Sequence, residues 1–334
     1  MKNFKFLILI ILFAFSLPYM YGGCVVIYSS DGFDSIEEPK DEETTKDYDG
    51  STAQAAITPL NAAALAAGAF AGGLSNAGTA PQSLKLLQRT DSSQIDVFRP
   101  LQYPLVLAHG LRRIESDAEL NISGLSKVVT ESSSLRGGCG GELTYTLTFD
   151  RISANFSGDI LFADYCDDGV VISGDTDIDG TFETGSGVFT TATFIFDDMA
   201  DEFHTLDGEI TLDLSDTPLC ATFTAYSQDN QTGEVYRLKN YSINLFEFFD
   251  RVEIEIFGTF YHPDDGFVRL TTPEPFIVFE NDDWPASGQL LIQGGSDTAA
   301  HLIAVDPAHY QIKADTDGDG IFEWDSVILN WADF

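Results

Sequence analysis

From about residue 139 to the end of the chain, apolar and polar residues alternate in short segments at a spacing of roughly ten residues, the pattern of an antiparallel all-β domain with one face buried. Leu143, Tyr145, Leu147 and Phe149 fall on one face of the first clear strand, and Thr144, Thr146 and Thr148 on the other. Further strand segments are expected over 152–156, 160–165, 170–173, 188–196, 209–214, 221–226, 235–248, 252–261, 267–270, 276–279, 289–293, 301–305, 310–314 and 327–331. Gly158-Asp159, Asp168-Gly169, Asp207-Gly208 and residues 229–233 read as the turns between them. The expected fold is a large antiparallel meander or sandwich over 82–334.

The chain before this domain divides by composition. Residues 52–81 are rich in Ala and Gly, and 59–70 predict a short helix, because Pro59 suits a first turn and Ala has the best helix propensity. A spacer or a helix packed on the sheet is expected here, with a lid as the functional alternative. Residues 31–50 are dense in Asp, Glu, Ser, Thr and Lys with little to bury, and 24–51 read as an acidic, disordered tether. Residues 1–23 read as a signal peptide: Lys2 and Lys5 form a basic start and 6–17 an apolar stretch too short for a comfortable membrane span.

Tyr21-Gly22-Gly23-Cys24 ends that segment, and small residues before a cysteine resemble the lipobox of bacterial lipoproteins. The resemblance implies lipid on Cys24, with Val25 after it implying the outer membrane. Tyr21 stands where that family usually has an aliphatic residue, and release as a soluble secreted or periplasmic protein is the alternative.

Charge changes the picture most: 53 Asp+Glu against 17 Lys+Arg give −36, or −38 once Lys2 and Lys5 are removed. Such a surface repels nucleic acid and anionic headgroups and attracts cations, so no nucleic acid partner is expected. If Cys24 carries lipid, Cys139, Cys166 and Cys220 remain. Cys139 with Cys166 is the preferred disulfide, because the two bracket a local hairpin set, and Cys166 with Cys220 is the rival.

Candidate chemistry is concentrated in two nonapeptides. Asp315-Thr-Asp317-Gly-Asp319-Gly-Ile321-Phe-Glu323 supplies carboxylates at positions one, three, five and nine, with Gly at six and the Ile321 carbonyl at seven. That order resembles the calcium loop of EF-hands and dockerins, although Ser326 occupies the twelfth position, where that family places a bidentate Glu. A near copy supplies Asp175, Asp177, Asp179 and Glu183. Calcium is therefore the expected cofactor, and a pair of hairpin turns is the plainer reading of the same residues. The tail Leu329-Asn-Trp331-Ala-Asp333-Phe334 resembles the end of a class of uncharacterised exported bacterial β-proteins, which implies no activity.

One enzyme-like pattern is set aside. Residues 103–110, ending His109-Gly110, resemble the strand and His-Gly turn of α/β-hydrolase lipases, and Gly137-Gly138-Cys139-Gly140-Gly141 resembles a variant of their nucleophile elbow. In that fold the elbow leads into a helix, whereas a strand follows Cys139. No catalytic residue is assigned. The expected role is that of an outer-membrane-anchored binding or structural lipoprotein, not an enzyme, with an unknown protein, glycan or lipid ligand. The first alternative is a lipid or lipoprotein carrier with an open β cavity, and the second a secreted hydrolase.

Overall fold

The computed structural model describes residues 48–72, 99–117, 127–167, 169–201, 203–215, 218–280, 282 and 284–333. The signal segment, Cys24 and most of the tether lie outside the described residues. Two helices come first, α1 (Ala62–Ala71) and α2 (Arg99–Asp117). The strands follow as β1 (Val128–Arg136), β2 (Gly140–Asp150), β3 (Asn155–Asp167), β4 (Val170–Phe182), β5 (Phe189–Ala200), β6 (His204–Asp213), β7 (Leu219–Asp229) and β8 (Val235–Glu247). After them come β9 (Arg251–His262), β10 (Gly266–Phe279), β11 (Ser287–Gln293), β12 (Ala299–Asp306), β13 (His309–Asp315), β14 (Trp324–Asp325) and β15 (Leu329–Asn330). All fifteen form one open sheet in which each strand pairs antiparallel with the next as far as β14, while β15 pairs back onto β13. The all-β meander expected from the alternation is what forms.

A single sheet must cover its apolar face, and here two helices help to do so. On β2, Leu143, Tyr145, Leu147 and Phe149 are buried, whereas Thr144 and Thr146 between them are exposed and Thr148 is half-buried. The same inner face carries Phe156, Phe162, Phe194, Phe223, Tyr241, Phe260 and Phe276 from successive strands. Helix α1 has no polar side; Leu65, Ala66, Ala69 and Phe70 are all buried, and the helix packs against β9 to β13. Gly68 lets it approach closely, since a Cβ there would lie 2.9 Å from the Phe260 ring. The Tyr241 hydroxyl lies within donating distance of the Ala69 carbonyl at 3.1 Å and the Phe70 carbonyl at 3.3 Å, tying the helix end to β8. Trp331, fully buried in a short 3-10 helix, stacks on Trp284 and Tyr310 and tilts against Phe70, so the C-terminal tail is pinned to α1. The folded unit thus takes in residues before 82, with Ala55, Ile57 and the buried residues of α1 in its core.

Helix α2 packs on another part of the inner face, against β5 and β6. Tyr103, Val106, Leu107, Leu111 and Ile114 are its buried row, spaced as one face of a helix requires. Residues 103–110 are therefore helical and not the strand and turn of a hydrolase. No described helix is long and apolar enough to cross a membrane.

Three local expectations change. Gly158-Asp159 lies inside β3 and Asp207-Gly208 inside β6, so neither is a turn. A side chain at Gly158 would meet the Thr146 carbonyl at 1.9 Å, which shows that the glycine serves close approach to β2. Residues 267–270 and 276–279 are two ends of β10, whose pairing with β9 is interrupted between Val268 and Phe276.

Candidate cation site and the acidic face

The C-terminal nonapeptide forms a loop at the end of β13. Asp315 is 2% exposed, and its carboxylate accepts the Gly318 N–H at 2.7 Å on Oδ1 and the Gly320 N–H at 2.8 Å on Oδ2. Both glycines have positive φ, +80° and +84°, a left-handed conformation that a side chain would strain. Glu323 reaches back across the loop, where Oε1 accepts the Thr316 N–H at 2.8 Å and the Thr316 hydroxyl. That hydroxyl bond holds the Glu323 carboxyl below the usual glutamate range.

One oxygen each from Asp315, Asp317 and Glu323 lies within 4.8 Å of the others. Three hard oxygens at that spacing suit a calcium-sized cation. The remaining expected ligands are placed otherwise. Asp319 accepts the Ile321 N–H at 2.8 Å, and the Ile321 carbonyl accepts the Glu323 N–H at 3.1 Å. Ser326 turns to the sheet, its hydroxyl accepting the Ile312 N–H at 3.0 Å, so the twelfth position of an EF-hand has no counterpart in this loop. Phe322 packs edge-on against His301 of β12, which secures the loop from its far side.

The second nonapeptide is not a loop. Asp175, Asp177 and Asp179 alternate along the exposed face of β4, with Thr176 and Ile178 buried between them, and Glu183 opens the following turn. A strand rises roughly 3.3 Å per residue, so Asp175 and Glu183 stand about 26 Å apart and cannot share an ion. The expectation of a single metal loop there is corrected by the strand geometry.

Instead the strand carries its carboxylates into an acidic face. Asp177 faces Asp159 of β3, and Asp175 faces Asp197 of β5. An irregularity in β5 between Phe196 and Met199 puts Asp198 at φ +59° and brings Asp197 and Asp198 against the buried Asp207. One carboxylate oxygen of each lies within 4.8 Å of the others, and the Asp198 N–H donates to Asp207 Oδ1 at 3.2 Å. The charge of Asp207 pushes the Asp197 carboxyl above its ordinary value. No Lys or Arg occurs between Arg151 and Arg237, a stretch that holds 18 Asp and Glu. This grouping was hidden in the sequence because Asp207-Gly208 has the form of a turn.

At the same end of the sheet Cys139 and Cys166 form the expected disulfide, with Cα atoms 5.1 Å apart across the start of β2 and the end of β3. With its sulfur bonded, Cys139 is no nucleophile. His109 of α2 lies 3.4 Å from Asp167, next to that disulfide. Comparisons with protein-family models, with curated proteins and with solved structures return no match.

Proposed function

We propose that this chain is an exported, lipid-tethered β-meander with a binding or structural role, and that its C-terminal loop takes up calcium. The convergence of Asp315, Asp317 and Glu323 in a loop already ordered by its own N–H groups carries the calcium reading. A disulfide between Cys139 and Cys166 fits an oxidising compartment, which supports export. The outward rows of Thr and Asp on β2 and β4 are the reverse of a lipid-facing strand, and the lipobox-like residues 21–24 support attachment through lipid on Cys24 with the tether as spacer. Isothermal titration of calcium into the chelator-treated chain tests the loop: saturable binding lost in Asp317→Asn with Glu323→Gln is expected, and its persistence there overturns the assignment. Mass spectrometry of the mature N-terminal peptide tests the anchor, with diacylated Cys24 expected and an unmodified Cys24 contradicting it.

The carrier reading keeps one supporting observation, a helix of small and apolar residues lying against the apolar face between β9 and β13. It requires that lipid displace or share space with α1. Lipid recovered from the purified chain by extraction and mass spectrometry would favour it, and a lipid-free chain of unchanged melting temperature would remove it.

A further inference from the structure

We propose that β1 is a dimerisation edge, pairing antiparallel with β1 of a second copy about a two-fold axis at Ser132. The two edges of the sheet are unlike. At one, β13 is covered by the two-residue strands β14 and β15, a fragmented border that offers little for another chain to pair with. At the other, β1 runs nine residues in unbroken register with β2, without proline, lysine or bulge, and no strand among the described residues lies beyond it.

The hydrogen-bond parity of that edge follows from two flanking bonds. Arg151 N–H donates to the Lys127 carbonyl and Gly137 N–H to the Gly141 carbonyl, both in the register of the β1–β2 pair. Odd-numbered residues of β1 therefore bond to β2, and the N–H and C=O of Thr130, Ser132 and Ser134 point away from it. Pairing about Ser132 sets Thr130 against Ser134 and Ser132 against itself. Each copy then offers three donors and three acceptors to the other, and all are used.

Side chains match in the same register. Val129, Glu131, Ser133 and Leu135 form the inner row of β1 and are only half-buried, in contrast to the fully buried Phe149, Leu147, Tyr145 and Leu143 opposite them. A second copy sets Val129 against Leu135 twice and Glu131 against Ser133, completing the cover of that row. On the outer row the Thr130–Thr148 and Ser132–Thr146 hydroxyl bonds continue into Thr and Ser of the other copy.

Charge selects the same place. In a chain of net charge −36, residues 127–151, which make up β1 and β2, hold three Lys and Arg against three Asp and Glu, whereas 152–236 hold no Lys or Arg and 18 acids. Two copies approaching through β1 meet at the neutral end of each molecule, and like-charge repulsion is least there. The contact is isologous and closed, as a two-fold pairing of one edge with itself must be.

Light scattering on the full chain across a concentration series, with Ser132→Pro and Ser134→Pro as variants, tests this. Each proline removes an N–H that points away from β2, so β1–β2 pairing and the melting temperature stay near wild type. A mass rising toward twice that of the chain is expected for wild type, with loss of the dimer in either variant. A wild type that stays monomeric at every concentration, or a dimer that survives both prolines, would overturn the proposal.

Discussion

Two segments of this protein share seven of nine residues and take opposite structures. Residues 175–183 lie largely in β4, and residues 315–323 form a loop held by its own carboxylates. They differ at the fourth and seventh positions, Ile178 and Thr181 against Gly318 and Ile321. The fourth decides. Ile178 is β-branched and 2% exposed in a strand paired on both sides, whereas Gly318 sits at φ +80°, where isoleucine is strained. A side chain at Gly318 would also meet the Ser296 carbonyl at 2.5 Å. Position in the sheet reinforces the choice. β4 is paired along its length on both sides, whereas β13 has full-length pairing only with β12 and its end is free to turn.

The carboxylates of the loop and those of the acidic face that β4 joins live in opposite surroundings. In the loop, backbone N–H groups and the Thr316 hydroxyl stabilise charge; on the sheet, Asp197 faces Asp207, Asp198 and Asp175. The loop's own donors hold its carboxylates as anions, and the acidic face sets like charges beside one another.

Exchanging the decisive residue breaks the comparison most severely. Ile178→Gly removes a buried side chain from a strand interior and is expected to cost about 3–5 kcal/mol, read as a lower midpoint in chemical denaturation. Gly318→Ile forces a β-branched residue into the left-handed region against a carbonyl and is expected to cost about 2–3 kcal/mol. It is also expected to abolish calcium uptake while circular dichroism keeps the sheet signal. A Gly318→Ile chain as stable as wild type would show that the loop does not need its turn.

The disulfide gives a smaller but well-separated effect, because it lies by the acidic face and away from the loop. Closing 27 residues stabilises by about 3.5 kcal/mol in the chain-entropy treatment, of which strain commonly removes part. Cys139→Ser with Cys166→Ser is expected to lower the Tm by roughly 5–10 °C and to leave calcium affinity unchanged. A parallel loss of calcium affinity would mean that the two regions are coupled.

Much of this was legible in the alternation itself. The Thr rows of β2 and the long strands β8 and β9 stand plainly in the sequence, because one buried face imposes a period of two. Helix α2 was not seen, although Tyr103, Val106, Leu107, Leu111 and Ile114 keep a helical period; Pro104, Gly110 and the apolar run between them carry the look of a strand. The loop carboxylates Asp315, Asp317 and Glu323, which the fold brings together, were readable from their spacing. The strand fate of Asp175 was readable too, since Thr176 and Ile178 alternate with the aspartates, yet the shared motif outweighed that period. The Asp197, Asp198 and Asp207 group was beyond reach, because a bulge and a register place it, and neither has a local signature.

Titration separates the regions with the gentlest effect. The raised Asp197 carboxyl penalises the ionised form in the folded chain, so its share of stability falls as pH rises from the ordinary aspartate range through the raised value. The lowered Glu323 carboxyl contributes stability above the ordinary glutamate value, and this is lost as pH falls through its lowered folded value. Asp197→Asn is expected to flatten the decline toward neutral pH, and Glu323→Gln to flatten the loss in acid, both followed by Tm across pH 3 to 7 on the order of the carboxylate range. Identical profiles for the two variants would erase the distinction.

The most direct measurement is the Tm of the full chain with calcium and with chelator, for wild type, for Asp317→Asn with Glu323→Gln, and for Asp197→Asn with Asp198→Asn. A ligand at a hundredfold excess over its Kd stabilises by about 2.7 kcal/mol, which corresponds to roughly 4–8 °C here. We expect that rise in wild type and in the Asp197 and Asp198 variant, and its loss in the loop variant. No rise in wild type, or a rise that survives the loop variant and vanishes with Asp197 and Asp198, would contradict the assignment of the cation to the C-terminal loop.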